Sequence, residues 1–205
     1  MRPLNEKLKA DILEASRQEF LSRGFAGAQM RKIARAANTT TGSIYKYYAD
    51  KEALFDALVQ SPAEYLEKRY RDSQQNFLSL ATEKQVSDLN QIVEEEQSVM
   101  LQYIYDHFDA FKLITCHSTG TKYAHYIDTL AEIETVTSRV FIDNLATDDR
   151  PVRQIDDALI HIVSNAMLFG LFETVAHDMP REKALAYARC LRDFYAAGWS
   201  KILGI

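Results

Sequence analysis

Apolar residues recur three and four positions apart along most of the chain, and no clear run of alternating apolar and polar residues bounded by turns is found. The spacing predicts helices throughout. The first spans residues 5–23, with Leu8, Ile12, Leu13, Ala15, Phe20 and Leu21 as its inward stripe, and ends at Gly24, where a left-handed cap costs little. A second, residues 29–36, turns Met30, Ile33 and Ala34 inward and Arg31, Lys32 and Arg35 outward. Asn38 falls where the chain must turn, since asparagine tolerates positive φ better than most residues. Thr40 is placed to cap a third helix that carries Tyr45, Lys46 and Tyr47. Ile44 and Tyr48 face inward there, leaving Thr41, Gly42, Tyr45 and Lys46 on the opposite face.

Beyond residue 50 the pattern stays helical. Ser61, Pro62, Ala63 and Glu64 read as a helix start, which predicts a kink or break near residues 60–61. The polar stretch 72–90 is expected to hold the next loop, followed by helices over 88–107, 110–116, 121–144, 152–177 and 181–203. Glu94, Glu95 and Glu96 read as a solvated face, and the eighth helix, apolar nearly all round, as buried on both sides. The expected fold is all-α, with about nine helices: a helix-turn-helix head over residues 1–49 and a larger helical body over 50–205.

Charge separates the two parts. The net charge of −5 divides into +5 over residues 1–51 and −10 over the rest, so a polyanionic partner belongs with the head. Cys116 and Cys190 stand far apart in helical pattern, which fits a reducing, cytoplasmic setting without a disulfide framework. No apolar run is read as reaching membrane-spanning length, and the first residues lack the apolar core of a signal peptide, so no membrane is expected as a partner.

The segments ILEASRQEFLSRGF and MRKIARAANTTTGSIYKYYADKEALF carry several positions of one motif at intact helix spacing. They resemble the N-terminal domain of the TetR family of bacterial transcriptional regulators. By position, the resemblance implies that Thr41, Gly42 and Ser43 approach base edges and phosphates of double-stranded DNA. Tyr45, Lys46 and Tyr47 form the next turn, and Lys51 opens the following helix near the DNA backbone. Gln29, Arg31 and Thr40 complete the DNA-binding candidates, although Arg31, Lys32 and Arg35 read mainly as a solvated, attractive face. Ala28 and Gln29 stand where the family usually has a threonine pair, and Gln29 is the candidate substitute for the missing hydroxyl cap. Asn38 replaces a usual glycine, and Thr39 a usual apolar residue.

The resemblance further implies a homodimer through the last two helices and a small-molecule effector in the larger domain. Candidate ligand-binding residues are Tyr103, His107, Phe111, His117, Tyr123 and Tyr126, near two helix junctions, whose mixture suits an aromatic or amphipathic molecule. The competing reading makes them ordinary core aromatics. His161 and Asn165, one turn apart, are either pocket-lining or buried interhelical hydrogen-bonding groups. The histidines lack HExxH or i, i+4 spacing, so no metal and no cofactor are expected. The reading is a ligand-responsive regulator, not an enzyme, and in the repressor mode it leaves a near-palindromic operator when the effector binds. The alternatives are a helical enzyme or a protein-docking module with a vestigial helix-turn-helix.

Overall fold

The computed structural model describes residues 5–146, 152–153 and 155–204. Among them are nine helices and no strand: α1 Glu6–Gly27, α2 Met30–Ala36, α3 Thr41–Ile44, α4 Lys51–Leu78, α5 Thr82–Asp106, α6 Phe108–His117, α7 Tyr126–Leu145, α8 Asp157–Ala176 and α9 Arg181–Leu203. They form two compact units. The first holds residues 1–65 and 107–124, and the second residues 66–106 and 125–205.

The first unit packs α1, α2, α3, the start of α4 and α6 around Ile12, Phe20, Ile33, Ile44, Leu54, Phe55 and Phe111, none of which exposes any surface. Phe20 and Phe25 each present to the Phe55 ring edge-on, at 5.2 and 5.5 Å, and Tyr123 joins this cluster at 6.1 Å. Such edge-to-face pairs add to the burial of apolar area. α1 departs from the helix at Gly24 (φ 67°, ψ 169°), as its sequence suggests, but one further turn follows to Gly27. Asn38 takes positive φ (49°), as expected for the turn. α3 is shorter than the pattern implies. After Ile44 the N–H groups of Lys46 and Tyr47 donate three residues back, at 3.2 and 2.8 Å, so the chain tightens through Tyr45, Lys46 and Tyr47 instead of extending the α-helix.

Of the kink or break expected near residues 60–61, the break does not occur: α4 runs through Pro62. A proline removes a single N–H from the ladder, and Val59 and Ala63, buried on either side of it, hold the helical path. The loop expected within 72–90 shrinks to residues 79–81, with α5 starting at Thr82. Buried Gln85 explains this: its side-chain amide donates to the Phe77 carbonyl at 2.9 Å and so satisfies the end of α4.

In the second unit, α7 packs along α8 and α5 along α9. α7 begins at Tyr126 and not at 121, because Thr121 is spent on a turn: its hydroxyl donates to Ser118 O (2.7 Å) and accepts from Tyr123 N (3.1 Å) in the first unit. α8 begins at Asp157, capped by Asp156, whose carboxylate accepts from Ala158 N at 2.7 Å. Val152 and Ile155 precede it outside any helix and pack with Ile142, Leu145, Ile160 and Leu203.

Two expectations about α8 need correction. Its 20 residues are by length and composition enough to cross a membrane, so an apolar run of that length does exist. The helix is also not buried all round within the chain. Ile160, Ser164, Leu168, Leu171, Phe172 and Val175 face the core, whereas Ile162 and Phe169 are 61% and 41% exposed. Glu94 and Glu95 are exposed as expected of a solvated face, while Glu96 is half-buried and pairs with Arg69; Glu94 also pairs with Arg192.

Candidate functional site

In the first unit, α3 is the short element that meets solvent. The Thr40 hydroxyl accepts from Ser43 N at 3.1 Å, which fixes the helix start, where the first N–H groups of a helix have no partner within it. Ile44 and Tyr48 anchor the opposite face in the core, at 0% and 8% exposure. Gly42, Tyr45 and Lys46 are exposed, and Thr41 and Ser43 half-buried beside them. Hydroxyls, backbone N–H groups, an ammonium and a half-exposed tyrosine thus share one small face. These are the donor types that phosphate oxygens and base edges accept.

Not every DNA-binding candidate shares that face. Tyr47 is tied to the start of α1: its hydroxyl accepts from Asn5 N at 3.1 Å and donates to Asn5 O at 3.4 Å. Lys51 turns its ammonium inward, onto the carbonyls of Phe25 (2.6 Å) and Ala28 (3.3 Å), and over the Phe25 ring at 4.6 Å from its centroid. It holds the last turn of α1 closed. Gln29 precedes α2 without giving it a side-chain cap, so it does not replace the missing hydroxyl, and its N–H instead donates to Glu19 at 3.1 Å. Arg31 is exposed on α2.

The second unit holds a cavity of about 410 Å³. Tyr70 and Phe77 of α4, Met100 of α5, Phe141 of α7 and Tyr195 and Trp199 of α9 contribute to its wall. Glu134 of α7 supplies a carboxyl group there, which accepts from the Tyr70 hydroxyl and from Gln74 Nε2 at 2.8 Å. Burial raises the proton affinity of this carboxyl above the ordinary carboxylate value, although hydrogen bonds from Tyr70, Ser138 and Gln74 pull the other way. Burial, then the neighbouring Glu134 charge, push the Tyr70 phenol well up.

None of the eight candidate ligand residues lines this cavity. His107, Phe111, His117 and Tyr123 belong to the first unit, and Tyr103, Tyr126, His161 and Asn165 to the second, so they do not form one site. Phe111 and Tyr123 are core side chains, and burial followed by nearby Asp56 raises the Tyr123 phenol far above its ordinary value. Tyr126 is buried at the start of α7, His107 is exposed before α6, and His117 is half-buried at its end. Tyr103 is half-buried on α5. Asn165 donates to Asp128 at 3.2 Å and His161 lies 3.4 Å from the Thr135 hydroxyl, both contacts between α8 and α7. Among the described residues no three His, Cys, Asp or Glu side chains gather to hold a metal.

Sequence reasoning missed Tyr70, Gln74, Glu134 and Trp199. A signal existed for Glu134, since it sits on the buried stripe Leu130, Thr137, Ile142 and Leu145 of α7, where a carboxyl group is out of place.

Comparison with known proteins places the head. The family model described as bacterial regulatory proteins, tetR family, matches residues 12–58. The transcriptional repressor AcnR of Corynebacterium efficiens is 36% identical over 62 residues, 30% of this chain and 32% of AcnR. The transcriptional repressor KstR2 of Mycobacterium tuberculosis is 34% identical over 64 residues, 31% of this chain and 32% of KstR2. These matches span about a third of the length of the curated relatives. The fold is shared more widely: PfmR, a TetR-family transcriptional regulator of Thermus thermophilus, superposes with a TM-score of 0.57 at 16% identity, over 89% of this chain and 97% of that one. Helix order, the Thr40-capped turn and the matched segment agree, so residues 12–58 are similar to the DNA-binding segment of bacterial regulatory proteins of the tetR family.

Proposed function

We propose that the chain is a homodimeric, DNA-binding transcriptional repressor of the cytoplasm that a small molecule releases from a near-palindromic operator. The observation that carries this reading is the exposed face of Thr41, Gly42, Ser43, Tyr45 and Lys46, held out by a capped helix in a segment of net charge +5. Cations at the head supply attraction to phosphate, and the short helix brings side chains to base edges. The relatives that share the head are named repressors, which favours that mode over activation.

Dimerisation is supported by large apolar side chains left open on the last two helices. Ile162 and Phe169 of α8 are 61% and 41% exposed, and Tyr187 and Phe194 of α9 are 46% and 70% exposed. Such patches mark protein interfaces. Two heads then read half-sites about one helical turn of DNA apart. The cavity of the second unit is where an effector would act, and it releases DNA only if it binds the DNA-incompetent arrangement more tightly.

Fluorescence anisotropy tests the reading, with the full chain titrated onto DNA from upstream of its own gene and onto scrambled DNA at several salt concentrations. Preference for the native fragment is expected, together with steep weakening by salt. Lys46→Ala is expected to lower the salt slope by about 1, and Tyr45→Ala to erode the preference between fragments. Absence of binding to either DNA at low salt would overturn the proposal.

A further inference from the structure

Two arginine–glutamate pairs stand near the cavity, with Arg192 Nη1 buried there without a hydrogen bond, and one carboxyl group has no cation beside it. Arg192, with 16% of its side chain exposed, pairs with Glu94 at 3.1 Å, and Arg69 pairs with Glu96 at 3.1 Å. Glu134 meets only neutral donors, the Tyr70 hydroxyl and the Gln74 amide among them, and no described Lys, Arg or His lies within ion-pair distance. An ionised carboxylate in such a place has given up water without gaining a counter-charge. Much of the remaining lining is aromatic, with Phe77 and Phe141 packed edge to face at 5.2 Å and Tyr195 and Trp199 contributed by α9. The volume, about 410 Å³, lies within the range of pockets for small organic ligands.

We propose that this cavity binds a lipophilic amine: a protonated, N–H-bearing head group on the Glu134 carboxylate, and an alkyl or aryl body along Phe77, Phe141 and Trp199. The inference rests on the reading of the second unit as an effector domain and names the chemical class of the effector. An ammonium head supplies the counter-charge that the protein withholds, and the aromatic rings add attraction to a cation. A carboxylate ligand at this position would set a second negative charge beside Glu134. A neutral alcohol would fill the same space but leave Glu134 uncompensated. The raised proton affinity of Glu134 agrees with a carboxyl group that lacks a cationic partner in the empty cavity.

The chain carries a single tryptophan, Trp199, and it lines the cavity, so its fluorescence reports occupancy directly. The full-length protein is titrated with 6-phenylhexylamine, 6-phenylhexan-1-ol and 6-phenylhexanoate, which share a body and differ in head charge. The amine is expected to bind at least about tenfold more tightly than either of the others, as a charge-assisted hydrogen bond implies. Glu134→Gln is expected to abolish that advantage, so that the amine no longer outbinds the alcohol. Equal or tighter binding of the alcohol or the carboxylate, an amine preference that survives Glu134→Gln, or failure of all three to bind would each overturn the proposal. If Glu134→Gln does not fold, the ranking of the three probes on the unaltered protein decides. Operator anisotropy in the presence of each probe separates the two readings. An amine that binds without releasing DNA sustains the ligand class and defeats the effector role, whereas release by the carboxylate alone does the reverse.

Discussion

The two units bury their side chains in opposite ways. In the first, Phe20, Phe25, Phe55 and Tyr123 close on one another, and the Lys51 ammonium is spent on backbone carbonyls of the same unit. In the second, a void of about 410 Å³ remains, bordered by a carboxyl group without a cation. The first arrangement has one good packing and resists change. The second leaves contacts unmade, so that an incoming molecule has something to gain there.

The largest expected effect breaks the closed packing. Phe20→Ala should cost about 3–5 kcal/mol, read by chemical denaturation, while Leu89→Phe, which adds volume at the cavity, should cost less than about 1 kcal/mol. Equal costs would mean that the two units are packed alike. Next comes the apolar face of α8 and α9: Phe194→Asp should weaken self-association by about thirtyfold or more, on the order of 2 kcal/mol, in sedimentation equilibrium, with helicity retained.

Lys51→Met should destabilise the head by about 1.5–3 kcal/mol through loss of charge-assisted bonds to carbonyls. Lys46→Ala, on the exposed face, should change stability by less than about 0.5 kcal/mol. A reversed order would make Lys51 the freely exposed cation of the pair. The smallest effect concerns pH. Burial raises the folded-state value of Glu134 above its unfolded value, so the folded chain holds that proton more tightly. Its contribution to stability is full below the ordinary carboxylate value and is lost as pH rises through the raised one. Glu134→Gln should therefore flatten that part of the curve of stability against pH, and an unchanged slope would remove Glu134 from the account.

The legible features were those fixed by neighbours in sequence. Asn38 in a turn, Thr40 as a cap and Ile44 with Tyr48 facing inward depend on residues one to four positions away, and the structure has all of them. The loop between α4 and α5 was drawn too long because its polar composition hides a tertiary bond, from the Gln85 amide to the Phe77 carbonyl. Tyr47 and Lys51 carry motif positions, yet their polar ends turn to Asn5 and to the end of α1, which spacing alone does not reveal. The cavity was the least legible part. Tyr70 and Glu134 are 64 positions apart, and only the packing of four helices brings such residues to one wall. Aromatics clustered in sequence, such as Phe111 and Tyr123, drew attention because they are adjacent, and they proved to be core.

The inward commitment of Tyr47 and Lys51 has a use in design. With those two side chains and the Thr40 cap keeping the helix in place, Thr41, Ser43, Tyr45 and Lys46 are left as positions at which the proposed DNA preference can be rewritten. A randomised library confined to those four codons should yield folded heads at high frequency, each a candidate for an orthogonal operator in an engineered gene circuit. A library that also varies positions 47 and 51 should return mostly misfolded chains.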